Sequence, residues 1–173
     1  TKKVMGMFGY IESGGQDWKD VGQIRDCLVK ILRKEGGDRS GMIYGMGHAI
    51  STLSDPRAVI LKRFAKNLAA QDPEMLEEFE LFEAVERLTP EVFRDITGSD
   101  KVICANVDLY SGLVYKMLGI PEELYTPLFA MARIVGWCAH RMEEVYNPGN
   151  KIIRPAYKAV APRREFVPLD SRG

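Results

Sequence analysis

A histidine and an arginine that could both contact an anion lie close together in a stretch rich in glycine. His48 follows Gly45-Met46-Gly47, and Arg57 follows Asp55-Pro56. The glycines allow positive φ and a close approach of the backbone to a ligand, while Asp55-Pro56 is typical of a helix N-cap and first helical position. Since a helix N-terminus favours anions and arginine presents a planar fork of donors, this stretch predicts a site for a small anionic ligand.

A second helix start carries the candidate general base. Asn106-Val107-Asp108 precedes a run of helical periodicity, so backbone N–H groups and the helix dipole favour an ionised Asp108 carboxylate. Such a carboxylate can accept a proton from a substrate, or it can simply satisfy the N–H groups of its own helix. Residue type alone favours the capping role.

Two further arginines lie nearer the end of the chain. Arg133 lies between Phe129 and Trp137 on a long helix with two apolar stripes, which predicts that much of this helix is buried, the guanidinium included. A buried guanidinium is costly unless it meets an anion, and either an internal glutamate or a ligand would serve. Arg154 lies in a polar tail, where residue type favours a solvated side chain.

The composition is typical of a globular domain with a hydrophobic core. It gives the chain no net charge that would create a strong electrostatic field. Of the 173 residues 46% are hydrophobic, 24 basic residues balance 24 acidic ones, and the sequence pI is about 6.7. A chain without excess charge is not expected to gather nucleic acid or an anionic membrane surface. Any anion site must therefore be local.

The cysteines indicate the cellular compartment of the protein, and the first residues indicate whether the chain is part of a longer one. Cys27, Cys104 and Cys138 are odd in number and far apart, which argues against a disulfide framework or a zinc site and favours the cytoplasm. The sequence shows no signal peptide and no apolar run long enough to span a bilayer. Because it begins at Thr1 within a helical pattern, we expect it to be part of a longer protein.

Helical periodicity runs through almost the whole sequence, and no alternation of β-branched and polar residues competes with it. The sequence therefore predicts an all-α fold. Helices are expected at residues 3–11, 18–34, 56–70, 74–88, 106–118 and 121–146, with a weaker helical turn between Thr89-Pro90 and Gly98.

Two helix faces can be assigned from the pattern. The glutamates of helix 74–88 are interpreted as a solvated face rather than a metal-binding cluster. The apolar positions of helix 56–70 are expected to face the core; they are Val59, Leu61, Phe64, Ala65 and Leu68.

Four segments resemble the signatures of the citrate synthase family and occur in that family's order. They are GMGHAISTLSDPRA around His48, NVDLYSG around Asp108, FAMARIVGWCAHR around Arg133, and the segment Ile152-Ile153-Arg154-Pro155. The resemblance implies the helical bundle of the family's small domain at residues 12–118. The end of a large-domain helix would precede it at 1–11, and the large domain's last helix and tail would follow at 119–173.

The reaction that the resemblance implies is a condensation of acetyl-CoA with oxaloacetate, followed by hydrolysis of the thioester to citrate and CoA. Asp108 matches the base that takes a proton from the acetyl methyl group, and His48 matches the donor to the oxaloacetate carbonyl. Such a weakly acidic proton requires a base that acts together with a donor to the enol oxygen. No metal or cofactor is implied, because the CoA thioester is itself a substrate.

The resemblance also implies the binding residues. Three arginines match those that hold the oxaloacetate carboxylates by charge-assisted hydrogen bonds; they are Arg57, Arg133 and Arg154. The last of these would reach the partner's site across a homodimer. One loop resembles the segment that binds the adenine end of CoA; its residues include Met42, Gly45, Met46 and Gly47.

Two features depart from the family pattern. The family's second histidine, which donates to the acetyl-CoA carbonyl, lies on a segment N-terminal to the residues present here, so the chain alone is expected to be inactive. Residues Ala49-Ile50-Ser51-Thr52 follow the catalytic histidine, where many bacterial members have Arg-Val-Tyr and some have a basic residue that meets a CoA phosphate. The phosphate contacts of this chain are therefore left open.

Two other functions are compatible with the same residues. A 2-methylcitrate synthase would use propionyl-CoA in place of acetyl-CoA with the same side chains. A non-catalytic helical module could keep a CoA or dicarboxylate site for regulation or assembly. The presence of the base Asp108 together with His48 disfavours the module, because binding alone does not need a base.

Overall fold

The computed structural model describes residues 1–14, 20–49, 53–146, 162–163, 165 and 167–171. Within these residues the chain forms α-helices and two short 3-10 turns at Glu122–Leu124 and Leu169–Ser171, and no strand, so the predicted all-α class is confirmed. None of the described helices is long and apolar enough to span a bilayer. The helices are α1 (Lys2–Gly14), α2 (Val21–Leu32), α3 (Pro56–Ala69), α4 (Pro73–Thr97), α5 (Val107–Met117) and α6 (Tyr125–Tyr146).

Four successive helices begin in the same way, at an Asp or Asn whose side chain accepts an N–H two residues on. The capping residues of α2, α3, α4 and α5 are Asp20, Asp55, Asp72 and Asn106. Such side chains satisfy an N–H group that has no partner within its helix. The predicted starts of α3 and α5 are thereby confirmed, with Pro56 at the first helical position of α3.

Helix α4 is longer than the sequence predicts. The prediction of a break at Thr89-Pro90 was wrong, because α4 continues through Pro90 to Thr97. A proline inside a helix removes one hydrogen bond and crowds the preceding turn. Here Val85 and Val92 on either side of the proline are fully buried, and the Thr89 hydroxyl donates to the Val85 carbonyl at 2.6 Å. Burial of this face keeps the helix continuous.

Helix α5 lies at the centre of the core and packs mainly against α3, with α1 on another side. Its residues Leu109, Tyr110 and Leu113 are fully buried. Beside them the rings of Phe8 from α1 and Phe82 from α4 stack with centroids 3.5 Å apart. The helix that carries Asp108 in its first turn is therefore held on several sides.

A polar cluster joins α3, α4 and α5 at the edge of this core. Lys62 Nζ lies 2.8 Å from Glu86 and 3.0 Å from Glu83, and the Tyr110 hydroxyl donates to Glu86 at 2.6 Å. Burial raises the pKa of Tyr110, and the adjacent Glu86 raises it further. Two of the glutamates of the predicted helix 74–88 thus pair with a lysine rather than facing only solvent.

The buried face of α3 differs from the predicted one. Val59 and Phe64 are about half exposed, so their assignment to the core was wrong, while Ala65 is fully buried as expected. The buried residues of α3 are Ala58, Ala65 and Ala69, and α3 packs mainly against α5. Small side chains at a helix contact allow the helix axes to approach closely. Leu61 and Leu68 are partly buried against the core, as expected, whereas Val59 and Phe64 lie mainly outside it.

The chain divides into two compact units, Thr1–Ala132 and Arg133–Gly173. Helix α6 passes from one to the other, and Tyr125 at its start is its only buried residue. The prediction that much of α6 and Arg133 are buried was therefore wrong for the described residues; Val135 is 77% and Trp137 49% exposed. An apolar stripe predicts burial only where another element packs on it.

The two phenylalanines Phe82 and Phe64 test this arrangement of the core. We expect Phe82→Ala to lower the free energy of unfolding by about 3–5 kcal/mol, because it removes a fully buried ring and leaves a cavity. Phe64→Ala should cost less than about 1 kcal/mol, because that ring is half exposed. Urea unfolding followed by circular dichroism would measure both. Equal losses would contradict the assignment of the α3 face.

Candidate functional site

The glycine-rich loop is bound to the segment that leads into α5. Met46 forms an antiparallel bridge with Ala105, and the Gly47 N–H donates to the Cys104 carbonyl at 2.7 Å. The backbone N–H and the side-chain amide of Asn106 donate to the Gly45 and Gly47 carbonyls, both at 2.9 Å. Asn106 also caps α5, so the same residue fixes the loop and the start of the helix that carries Asp108.

The two glycines of the loop have different roles. Gly45 has φ +84° and Gly47 φ +93°, a region that side chains disfavour. A Cβ at Gly45 would lie 2.9 Å from the Leu109 Cα, whereas a Cβ at Gly47 would meet nothing within 4 Å. Gly45 thus permits direct contact between the loop backbone and α5, while Gly47 serves the backbone conformation alone.

Asp55 does more than cap α3. One of its oxygens accepts from the Arg57 backbone N–H at 3.0 Å and from Arg57 Nε at 3.1 Å. The other accepts from an Arg57 terminal nitrogen at 2.8 Å and from the Val107 backbone N–H at 3.1 Å. That second oxygen also lies 3.6 Å from His48 Nε2. One carboxylate, with its side chain 2% exposed, therefore connects the His48 loop, α3 and α5.

The ionic state of this pair follows from its contacts. Hydrogen bonds from Arg57 hold the pKa of Asp55 below its usual value, although burial acts in the opposite direction. The hydrogen bond to Asp55 in turn raises the pKa of Arg57. A carboxylate and a guanidinium joined through two parallel hydrogen bonds form a stable charged pair with fixed geometry.

Asp108 is a half-exposed carboxylate at the start of α5. Its own N–H donates to the Asn106 side chain at 2.9 Å, and its Oδ1 accepts from the Thr1 hydroxyl. Burial raises the pKa of Asp108, whereas the hydrogen bond from the Thr1 hydroxyl and the charge of Arg57 lower it. The group is ionised at neutral pH and can accept a proton.

A cavity of about 350 Å³ lies between the loop and the start of α5. Its wall includes Asp108 and Asn106 together with the loop residues Met42, Gly45 and Met46. His48 and Arg57 do not line this cavity. Three of the four residues predicted to bind CoA, all but Gly47, thus share a cavity with the predicted base.

The structure brings together most of the predicted site within the first unit. The exceptions are two arginines. Arg133 is exposed and belongs to the second unit, and Arg154 lies outside the described residues. Among the described residues, no group of three or more His, Cys, Asp or Glu side chains is placed to hold a metal ion.

Two contacts of the site were not predicted from the sequence. Asp55 was recognised only as an N-cap, because the Asp-Pro pair carries no sign of its contacts with Val107 and His48. The approach of Thr1 to Asp108 joins residues more than a hundred positions apart. Only the packing of α1 on α5 places them together.

Comparison with known proteins identifies the family of this chain. Residues 1–156 match the family model described as citrate synthase, C-terminal domain. The 2-methylcitrate synthase of Shewanella oneidensis is 38% identical over 91% of this chain, and citrate synthase 2 of Bacillus subtilis is 37% identical over 88% of it. The chain spans about 38% of the length of either relative.

Solved structures give the same result. The citrate synthase of Thermoplasma acidophilum, in a ternary complex with carboxymethyl coenzyme A and oxaloacetate, matches 99% of this chain with a TM-score of 0.66 and 28% identity. The chain covers 42% of that protein. The citrate synthase of Pyrobaculum aerophilum matches with a TM-score of 0.62 and 32% identity, over 99% of this chain and 39% of that one. The fold thus defines a helical domain of the citrate synthase type.

The family model covers most of the chain, and its relatives include both citrate and 2-methylcitrate synthases. The chain therefore belongs to the citrate synthase family. The resemblance drawn from the four sequence segments is confirmed.

The two loop glycines give a matched test of the site's assembly. Gly47→Ala should cost about 1 kcal/mol of stability, because the backbone keeps a conformation that alanine disfavours. Gly45→Ala should cost more and should also displace the start of α5, because the added methyl group meets the backbone of Leu109. Urea unfolding and the amide NMR shifts of residues 106–109 would measure this. Equal perturbation of those shifts by both variants would contradict the close contact.

The pH dependence of stability tests the Asp55–Arg57 pair. A carboxyl group whose pKa is lower in the folded than in the unfolded state stabilises the fold above its unfolded pKa. This contribution is lost as the pH falls through the folded value. We expect the free energy of unfolding to decrease below about pH 4, and Asp55→Asn to remove part of this decrease.

Urea titrations between about pH 5 and pH 2 would measure the effect. The free energy of unfolding of the variant should still depend on pH, because the pKa values of Asp38 and Asp108 are also lowered in the folded state. Identical pH dependences for wild type and Asp55→Asn would show that Asp55 has the same pKa in both states.

Proposed function

We propose that the protein in which this chain occurs condenses an acyl-CoA thioester, acetyl-CoA in the first instance, with oxaloacetate to give citrate and CoA. One observation carries the proposal. Asp108, a carboxylate at the start of α5, borders a cavity together with the glycine loop, and it interacts electrostatically with Arg57. This combines a proton acceptor with a binding site for an anionic partner.

The proton transfer follows from the state of Asp108. The methyl group next to a thioester carbonyl loses its proton only when a base and a donor to the enol oxygen act together. Asp108 supplies the base, and its position at the start of a packed helix fixes the carboxylate in space. The donor to the thioester oxygen would come from the family's second histidine, N-terminal to the residues present here.

The oxo acid would occupy the side of the site formed by His48 and Arg57. His48 would donate to the keto oxygen and draw charge from the carbon that the enol attacks. Arg57 keeps part of its guanidinium exposed beyond the contacts with Asp55 and would bind a carboxylate there. Arg133 and Arg154 would complete the carboxylate contacts, the latter across a homodimer.

The acyl-CoA would enter through the cavity between the loop and α5. The exposed Met42 and the backbone of residues 45–47 would contact its adenine end, and Asp108 would meet the acyl group. No separate cofactor is needed, because the thioester activates its own methyl group. Since the chain spans only about 38% of its relatives, we expect the 173 residues alone to be inactive.

Propionyl-CoA is the alternative acyl donor, and one relative favours it. The Shewanella oneidensis 2-methylcitrate synthase is as similar to this chain as the Bacillus subtilis citrate synthase. Turnover of the whole protein with each of the two thioesters would distinguish the donors. Higher kcat/KM with propionyl-CoA would assign the 2-methylcitrate reaction.

Replacement of the base tests the proposed mechanism. In the whole protein, Asp108→Asn should lower kcat by about 10²–10⁴-fold, because the amide no longer accepts the methyl proton. Oxaloacetate binding should change little, since Asp108 acts on the other substrate. Release of the CoA thiol would measure turnover, and calorimetry would measure binding.

Asp95→Asn is the matched control. Asp95 is an exposed aspartate of α4 that pairs with Arg25 on α2. The control should keep full activity. Turnover of Asp108→Asn within about threefold of wild type would remove Asp108 from the mechanism.

A further inference from the structure

A side-chain network holds the segment that leads into the glycine-rich loop. The Asp38 carboxylate accepts the Tyr44 hydroxyl at 2.6 Å through one oxygen and the Ser40 N–H at 3.0 Å through the other. Lys3 of α1 donates to the Tyr44 hydroxyl at 3.0 Å, and these four residues form the Asp38 network. We propose that the Asp38 network positions residues 41–46 for binding of the acyl-CoA. The identity of this ligand rests on the proposed function, whereas the contacts do not.

The backbone of this turn adopts conformations that side chains disfavour. Arg39 has φ +57° and Gly41 has φ +78°. A residue other than glycine persists in the left-handed region where surrounding contacts hold it. Asp38 supplies such contacts, because its carboxylate closes the turn across Arg39. The Ser40 hydroxyl then accepts the Met42 N–H at 3.2 Å, so the next peptide is also fixed.

Two cavities border the segment that the network holds. One is the cavity of about 350 Å³ with Asp108 in its wall, and the other, of about 450 Å³, lies beside α1. Met42 and Tyr44 line both cavities, whereas Asp38 and Lys3 line only the second. Met42 and Tyr44 therefore border open space on two sides, and hydrogen bonds must fix their position. Asp38 acts on the first cavity only through Tyr44 and the turn.

The two ends of the segment are held by different contacts. At the far end, the Gly45 carbonyl accepts the Asn106 N–H and the Gly47 N–H donates to the Cys104 carbonyl. Those contacts also fix the start of α5. The Asp38 network holds the near end alone. Its loss should therefore disturb the part of the site that meets the acyl-CoA and leave Asp108 in place.

Asp38 is the centre of the network because of the hydrogen bonds that it accepts. The bonds from Ser40 and Tyr44 hold the pKa of Asp38 well below its usual value, so the carboxylate is ionised at neutral pH. Lys3 Nζ lies 3.5 Å from it and adds an exposed ion pair. Such a pair contributes little by itself, so the position of the turn depends mainly on the two hydrogen bonds.

Asp38→Ala in the whole enzyme is the test, with Asp95→Ala as the matched control. The two aspartate side chains are about equally exposed, at 44% and 48%, and each pairs with a basic residue. Asp38→Ala should raise KM for the acyl-CoA about fivefold or more, while kcat and KM for oxaloacetate stay within about twofold. Asp95→Ala should leave all three values within about twofold of wild type. An unchanged KM for the acyl-CoA in Asp38→Ala would overturn the proposal.

Tyr44→Phe separates the network from a direct contact between the Tyr44 hydroxyl and the ligand. Because Asp38 and Tyr44 act through one hydrogen bond, the double variant should raise KM no further than the larger single effect. Effects that multiply would contradict a shared role. The phenylalanine ring keeps the packing of Tyr44, so this variant decides the case in which Asp38→Ala does not fold. Tyr10→Phe, beside the second cavity but outside the network, should leave KM unchanged.

Amide hydrogen exchange gives a readout that does not depend on catalysis. In the whole protein, Asp38→Ala and Tyr44→Phe should each speed exchange in peptides that span residues 37–46 about threefold or more, because the turn opens more often. Peptides that span residues 103–109 should keep their rates. Equal exchange in wild type and variants would show that the network does not hold the segment. If the whole protein shows no turnover, the proposed function fails, while these rates still decide whether the network positions residues 41–46.

Discussion

The carboxylate of Asp55 is the contact on which the rest of the site depends. It is almost fully buried, it is ionised beside Arg57, and it meets the starts of both α3 and α5. A buried charge of this kind is retained only where hydrogen bonds and an opposite charge compensate its desolvation. Since those partners include the candidate substrate-binding groups, the same interactions stabilise the fold and fix the geometry of the site.

Close contact between backbones is the second constraint. The loop at Gly45 lies directly on Leu109 of α5, and α1 meets α5 at Gly112, where an added Cβ would lie 2.7 Å from the Met5 sulfur. The buried residues of α3, which packs mainly on α5, are likewise small alanines. Three different segments thus meet at α5 through small residues, and the loop and the start of α3 lie near the helix start that carries Asp108. The chemistry of the site depends on the packing of one helix.

Helix α6 shows that an apolar pattern in the sequence does not by itself predict burial. Its apolar stripes are typical of a buried helix, yet nearly all its described residues are exposed. The relatives are more than twice as long as this chain. Hydrophobic periodicity reports which face of a helix can be buried and not which element covers it. Burial of Arg133 was inferred from the same pattern and failed for the same reason.

The sequence by itself determined the helical class, the helix starts at Asp55 and Asn106, and the family, because caps, periodicity and signature segments are local properties of the chain. It did not determine that α4 continues through Pro90, that α3 packs through alanines, or that Asp55 contacts His48 and Val107. Those facts depend on residues far apart in sequence, and only burial against neighbouring helices decides them. The tertiary structure therefore decided the geometry of the site, whereas the residue types that could form it were already visible in the sequence.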